Sequence, residues 1–313
     1  MLRKSKVTIL NFYKRVFESA DVDSAIVIFE KNNSDESSIR LAEWEKEFSL
    51  IGEVDRKILL DAPDSIINVE ALKNSDTFSL LEKIERGKPV LSEIAEVKSG
   101  LKAYEVGKGT PPQTKDMKDS RVYHSTSPKD KSIKYLEGKN VCRYHLGWSG
   151  EYLEYGVNLA APRGNFDLFS TPRILVRQIP SPLPYCINAC LTAEKLLNDL
   201  NSMNIIYIKV APQYLLGLLN SRLISYWFAH KFGKLQRGIF PQFKVNELAQ
   251  FPIVNIPSDK QKPIIKCVNT ILSNKQSDPC ADTSALEVEI DRMVYEIYGL
   301  TEEEIRIVED CTR

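Results

Sequence analysis

The chain is poor in the residues on which most catalytic chemistry runs. Its 313 residues include three histidines, His124, His145 and His230, far apart in sequence. No two stand at metal-binding spacing, and each reads as a structural or solvated polar group. The six cysteines, Cys142, Cys186, Cys190, Cys267, Cys280 and Cys311, contain no Cys-x-x-Cys. A zinc site needs four ligands in compact pairs, and the nearest pair, Cys186 and Cys190, has no histidine at ligand spacing. Buried, reduced thiols in a cytoplasmic protein are the expected state. Gly-x-Gly occurs once, at Gly107-Lys108-Gly109, with neither a third glycine nor an apolar helix after it, so it reads as a loop rather than a phosphate cradle. Gly-x-Ser-x-Gly, His-Glu-x-x-His and Walker patterns are missing. No apolar run reaches the roughly 18–20 residues of a membrane span. The basic start is followed by apolar residues only from Val7 to Leu10, which is not a secretory signal.

Net charge is absent too: 42 Lys+Arg balance 42 Asp+Glu, which argues against a polyanion as partner until the charges are placed. Residues 1–97 hold 14 basic and 19 acidic side chains, a balance of −5. Residues 98–250 hold 21 and 11, or +10, and residues 251–313 hold 7 and 12, again −5. A basic centre between acidic flanks is a candidate polyanion-binding module. A solvated basic face without a ligand is the bland alternative.

Hydrophobic pattern supplies the organisation. Val7–Leu10 and Ala25–Phe29 read as strands, joined by a turn-rich connection over 15–23 and closed by a polar linker over 32–38. Ile39–Phe48 and Thr77–Arg86 read as helices, with Gly87 placed to stop the second. From Val90 the texture is strand-and-loop, with strands at Arg173–Ile179, Tyr185–Leu191 and Ile205–Lys209. Helices follow at Tyr214–Leu219, entered through Pro212, and Ser221–Phe232. Ser258-x-x-Gln261 has the form of a capping box, and Ile264, Ile265, Val268, Ile271 and Leu272 continue at helical spacing. Leu286, Ile290, Met293, Val294 and Ile297 repeat the pattern up to Gly299, and Thr301-x-x-Glu304 caps a last helix.

The basic block offers recognition chemistry. Arg143-Tyr144 with Trp148, Arg163 with Asn165, Arg177-Gln178, and the run holding Lys231, Lys234, Gln236, Arg237, Gln242 and Lys244 set Arg, Lys, Asn and Gln beside aromatics and glycines. Arg and Lys match guanine acceptors, Asn and Gln match adenine, and further cations fix register on phosphates. Lys98 and Lys102 at the front of the block complete the candidate DNA-contacting set. Glu96-Val97-Lys98 has the Glu-x-Lys spacing of a metal-dependent nuclease strand, but the nearest further acid, Asp76, falls in an expected helix start, which argues against a metal pair.

Several stretches in order carry a family resemblance: Leu91–Leu101, Tyr135–Tyr144 with Trp148, Pro172–Gln178, Tyr214–Ser221, Leu248–Ile253 and Ile290–Glu304. From about residue 88 onward the chain resembles the TaqI-like C-terminal specificity domain. That is the target-recognition region of N6-adenine DNA methyltransferases and of Eco57I-type restriction-modification enzymes. Phe17–Lys31 looks like the last strands of the adenine methyltransferase domain of the same family. The family's Asn-Pro-Pro-Tyr/Phe motif is missing, since Pro111-Pro112 lies between Thr110 and Gln113, and so is its S-adenosylmethionine-binding glycine turn.

The resemblance implies an α+β fold: a strand-and-loop target-recognition domain with a helical linker and a C-terminal helical cap. The expected divisions are a methyltransferase remnant over 1–31, a helical linker over 32–88, the recognition domain over 89–257 and a helical segment over 258–313. It implies sequence-specific recognition of double-stranded DNA within a type II, type IIG-like adenine-N6 methyltransferase system serving phage defence in the cytoplasm. No catalytic residue is expected in this chain, and S-adenosylmethionine, with Mg2+ where a nuclease is attached, is expected only in the parent enzyme. The partners implied are duplex DNA and a methyltransferase domain, on the same or a companion polypeptide, with no membrane. The rival reading is a protein-interaction subunit whose basic block docks an acidic partner.

Overall fold

The structure, a computed structural model, describes residues 5–12, 24–31, 38–44, 47–55, 75–232, 242 and 244–311. The expected connection over 15–23 and nearly all of the linker over 32–38 lie outside these. The chain divides into two compact units, residues 1–83 with 228–239, and residues 84–227 with 240–313.

The first unit holds a four-stranded sheet of β1 (Ser5–Phe12), β2 (Ser24–Lys31), β3 (Ser38–Trp44) and β4 (Phe48–Asp55), in the order β2-β1-β3-β4. β1 pairs antiparallel with β2 and parallel with β3. The helix expected over Ile39–Phe48 is therefore corrected to strand. Pairing buries Ile39, Leu41 and Ala42, and a bulge at Leu41/Ala42 shifts the register, which breaks the simple alternation that would have marked a strand. β2 is an edge strand with Ile26, Val27, Ile28 and Phe29 all exposed.

Helix α1 spans Ser75–Glu85 and ends at Gly87, whose φ of +69° suits glycine. The second unit follows the expected texture: β5 (Glu96–Ser99), β6 (His124–Ser125), β7 (Ser132–Leu136), β8 (Val141–Cys142), β9 (His145–Leu146), β10 (Tyr152–Glu154), β11 (Arg173–Arg177), β12 (Ala189–Thr192), β13 (Leu197–Asn198) and β14 (Ser202–Ile206). One sheet runs β12-β11-β14-β5, a second β13-β7-β10-β6, and β8-β9 forms a hairpin. β11 is flanked on both sides and is buried from Arg173 to Val176 without alternation, as a central strand covered on both faces must be. Arg173 is fully buried, its guanidinium donating to the carbonyls of Thr171, Glu194 and Leu196 at 2.9, 3.1 and 3.0 Å; burial lowers its pKa to about 10.

Helices α2 (Pro212–Leu219), α3 (Arg222–Phe232), α4 (Ser258–Ser277), α5 (Ser284–Tyr298) and α6 (Glu302–Asp310) form the late part. Gly217 lets α2 close on α4, since a Cβ there would stand 2.7 Å from Ile264 Cγ2. α6 has the expected capping box, Glu304 N to Thr301 Oγ1 at 3.3 Å and Thr301 N to Glu304 Oε2 at 2.7 Å. The box expected at Ser258 does not form. Pro257 is the cap, and the buried Gln261 amide donates back to Ile256 O at 2.8 Å. Cys280 and Cys311 are exposed, a correction to uniformly buried thiols, whereas Cys186, Cys190 and Cys267 are buried. Among the described residues, no helix is long and apolar enough to cross a membrane.

Candidate nucleic-acid interface

Two expected contacts, Arg177 and Gln242, line one cavity of about 390 Å³, together with Glu137, Gly138, Lys139, Ile179, Asp199 and Asn201. Its walls follow from local structure. After β7, a 3-10 turn at Gly138–Asn140 is fixed by Asn140 Oδ1 accepting from Glu137 N at 2.8 Å. The turn sits directly on the tight connection before β14, because Gly138 has no Cβ to strike Asn201, whose own Cβ would be 2.6 Å away. That connection is held by Asp199, which accepts from Asn201 N at 3.0 Å and Asn201 Nδ2 at 2.8 Å. β11 supplies the third wall, and Gln178 N donates to Asn201 O at 2.8 Å just past its end.

The lining mixes signs. Lys139 Nζ lies 2.6 Å from Glu137 Oε2, with Arg121 Nη2 3.2 Å from Oε1; the Lys139 ammonium holds the Glu137 carboxyl below the usual carboxylate range. Burial pushes Asp199 the other way, upward, against the bonds from Asn201. Lys139 itself is 71% exposed and stands at the rim. Arg177 differs from both: among the described residues its guanidinium makes no hydrogen bond or ion pair, and its Nε is buried without a partner.

The other expected contacts are spread elsewhere. Arg143 and Tyr144 face inward. The Arg143 guanidinium pairs with Glu287 on α5, donates to Asn220 O at 2.5 Å and stacks 4.0 Å from the Tyr185 ring centroid. Tyr144 is buried beneath it with φ +57°. In this packing Arg143 is partly buried and Tyr144 buried, and both side chains serve the fold. Arg163 donates to Gly100 O at 2.8 Å and to Ser99 Oγ at 2.5 Å, fixing the end of β5. Asn165 caps the 3-10 turn Phe166–Phe169 through Asp167 N at 3.0 Å.

Trp148 lines a second cavity, of about 470 Å³, with Lys134 Nζ 4.8 Å from its ring and Tyr152 edge-on at 5.2 Å. Lys98 pairs with Glu96 at 3.5 Å and Lys102 with Glu105 at 2.6 Å, both at the surface. Lys244 is exposed at the start of a short helix, and Lys231 closes α3. Lys234, Gln236 and Arg237 lie outside the described residues. Glu137, Lys139, Asp199 and Asn201 escaped the sequence reading. Glu137-Gly138-Lys139 does sit in the stretch Tyr135–Tyr144 that carried the resemblance, and its glycine was the available signal.

In the Gly107–Gly109 loop the N–H groups of Gly107, Lys108 and Thr110 donate to Gln113 O, Glu105 O and Val157 O at 2.8–3.0 Å. Among the described residues there is no group of three or more His, Cys, Asp or Glu side chains that could hold a metal.

Residues 133–253 match the family model of the TaqI-like C-terminal specificity domain, so the resemblance read from the sequence holds over that stretch. Among solved structures the chain is similar to the type IIL restriction-modification enzyme MmeI in complex with DNA, with 12% identity, a TM-score of 0.51, and coverage of 98% of this chain and 45% of that one. The type IIG restriction endonuclease BpuSI gives 10% identity and a TM-score of 0.43 over 95% of this chain and 44% of that one. The HsdS subunit from Thermoanaerobacter tengcongensis gives 9% and 0.35 over 71% and 50%. This chain thus spans under half the length of the first two. No curated protein matches it. The mixed α+β fold is shared with that of MmeI.

Proposed function

We propose that this chain recognises a specific sequence in double-stranded DNA as the specificity part of a restriction-modification enzyme. One observation carries the reading: every residue lining the Arg177 cavity falls within 133–253, the stretch that matches a specificity domain, and within the block whose net charge is +10. The DNA in the MmeI complex supports it as well. Surface lysines such as Lys98, Lys102 and Lys244 supply phosphate contacts that set register, while donors inside the cavity read bases. The work left to a companion domain is N6-adenine methylation with S-adenosylmethionine, and a phage-defence role in the cytoplasm follows from that activity. The exposed apolar strand β2 supports such a companion. Four consecutive large apolar side chains on a sheet edge are a surface that a neighbouring domain covers.

The test is binding of the chain to labelled duplex across a salt series. Expected is affinity that falls with salt, the log–log slope counting phosphate contacts at about −0.9 each, plus tighter binding to sequences selected from a random duplex pool. Absence of binding near 50 mM salt, where phosphate contacts are strongest, together with co-purification of an acidic protein partner, would replace this reading with a protein-docking role.

A further inference from the structure

Resting on the DNA-reading role, the geometry points to a G·C base pair as the ligand of the Arg177 cavity, with Arg177 as the residue that determines guanine. Nearly every described arginine of the basic block is already engaged. Arg121 is held by Glu137 and Glu151, Arg143 by Glu287, Arg163 by Ser99 and Gly100, and Arg173 by three carbonyls. Arg222 lies 3.9 Å from Glu309 and stacks near Tyr185. Among the described residues Arg177 alone of these has a guanidinium without hydrogen bond or ion pair. Buried Nε atoms without a partner occur at Arg173 and Arg222 as well, each a desolvated donor left unsatisfied; Arg177 differs in that no hydrogen bond or ion pair holds the rest of its guanidinium among the described residues. A side chain left in that state at a cavity wall is poised for an acceptor from outside.

A phosphate site concentrates cations, whereas this cavity sets two cations, Arg177 and Lys139, against two carboxyl groups, Glu137 and Asp199, with the amides of Asn201 and Gln242 beside them. Such a balance repels no neutral ligand and holds no anion strongly. The major-groove edge of a G·C pair offers acceptors at guanine O6 and N7 and a donor at cytosine N4. The guanidinium fork matches the first, and a carboxylate matches the second. An A·T edge presents a donor and acceptor together on adenine and suits an amide instead. The position of Arg177 is set rigidly: it is the last residue of central strand β11, with its own N–H bonded to Asn188 O at 3.0 Å.

The experiment is selection of bound sequences from a random duplex pool by the full chain, repeated with Arg177→Gln and Arg177→Lys, each checked for an unchanged thermal midpoint. Expected is a wild-type motif in which one G·C position loses its preference in Arg177→Gln by about 5- to 150-fold, the ratio that 1–3 kcal/mol per bidentate contact corresponds to. The other positions and the salt slope should stay as in wild type, and Arg177→Lys should keep part of the preference. If Arg177→Gln instead weakens all sequences equally and lowers the salt slope by about one contact, Arg177 binds phosphate and the inference is overturned. An unchanged motif overturns it too while leaving the DNA-reading role intact. A wild-type chain that binds but selects nothing removes both.

Discussion

Replacing Arg143 by methionine should destabilise the second unit by about 3–5 kcal/mol, the range for breaking a buried ion pair from one side. The structure supports the upper class of effect. Both side chains of the Arg143–Glu287 pair are only 16% exposed. Arg143 also satisfies Asn220 O, which terminates α2, and covers the Tyr185 ring. Loss of the guanidinium leaves the partly buried Glu287 with a single remaining side-chain partner, the Thr283 hydroxyl at 2.7 Å. Glu287→Met should cost a similar amount, because it strands the arginine. The double variant should cost less than either single change, since two apolar groups of similar size leave no uncompensated charge. Urea unfolding reads this directly: midpoints convert to free energies if the slopes agree, and the cycle should give a coupling above about 2 kcal/mol. Single variants that each cost under about 1 kcal/mol and add would place the pair with exposed surface bridges and refute the buried-clamp argument. DNA affinity at matched stability should not change, because neither group faces the proposed ligand.

Other outcomes follow from the same structure. His124 is held near pKa 4, below the ordinary 6.5, chiefly by burial and then by Arg121. Above pH 6.5 its full contribution is present, and between 6.5 and 4 the unfolded chain takes up the proton first. Stability should therefore fall by roughly 2–3 kcal/mol on acidification through that window, and a slope equally steep in His124→Asn would refute it. Gly138→Ala should press the 3-10 turn off Asn201 and weaken sequence preference more than low-salt affinity; competition binding with selected and random duplexes checks it. Gly217→Ala should cost about 1–3 kcal/mol through overpacking against Ile264 and Val268, measured by thermal midpoint.

How much of this was legible depended on how far apart the interacting residues lie. The helices α4 to α6 could be read because apolar spacing and the cap of α6 are local. The basic block could be read because charge along the chain needs no fold. The Arg143 ion pair was not legible because its partner is 144 positions away: beside Tyr144 and His145 the residue has the composition of a DNA contact, and only the packing of α5 reveals the pairing. β3 was misread because its stability lies in pairing with β1, which propensity over Ile39–Phe48 does not record. Lys139 and Asp199 were missed for a related reason. The cavity exists only where the turn after β7 meets the turn before β14, and nothing in either segment names the other.

The bare edge of β2 also bears on how the protein behaves in the test tube. Ile26, Val27, Ile28 and Phe29 sit on a strand whose outer hydrogen-bonding groups have no partner strand among the described residues, the template on which a second chain adds most readily. The isolated chain should self-associate as its concentration rises, and more so in high salt, where phosphate binding is weakest. Lysine at Val27 is the simplest protection. It would also separate true DNA affinity from the apparent affinity that aggregates display.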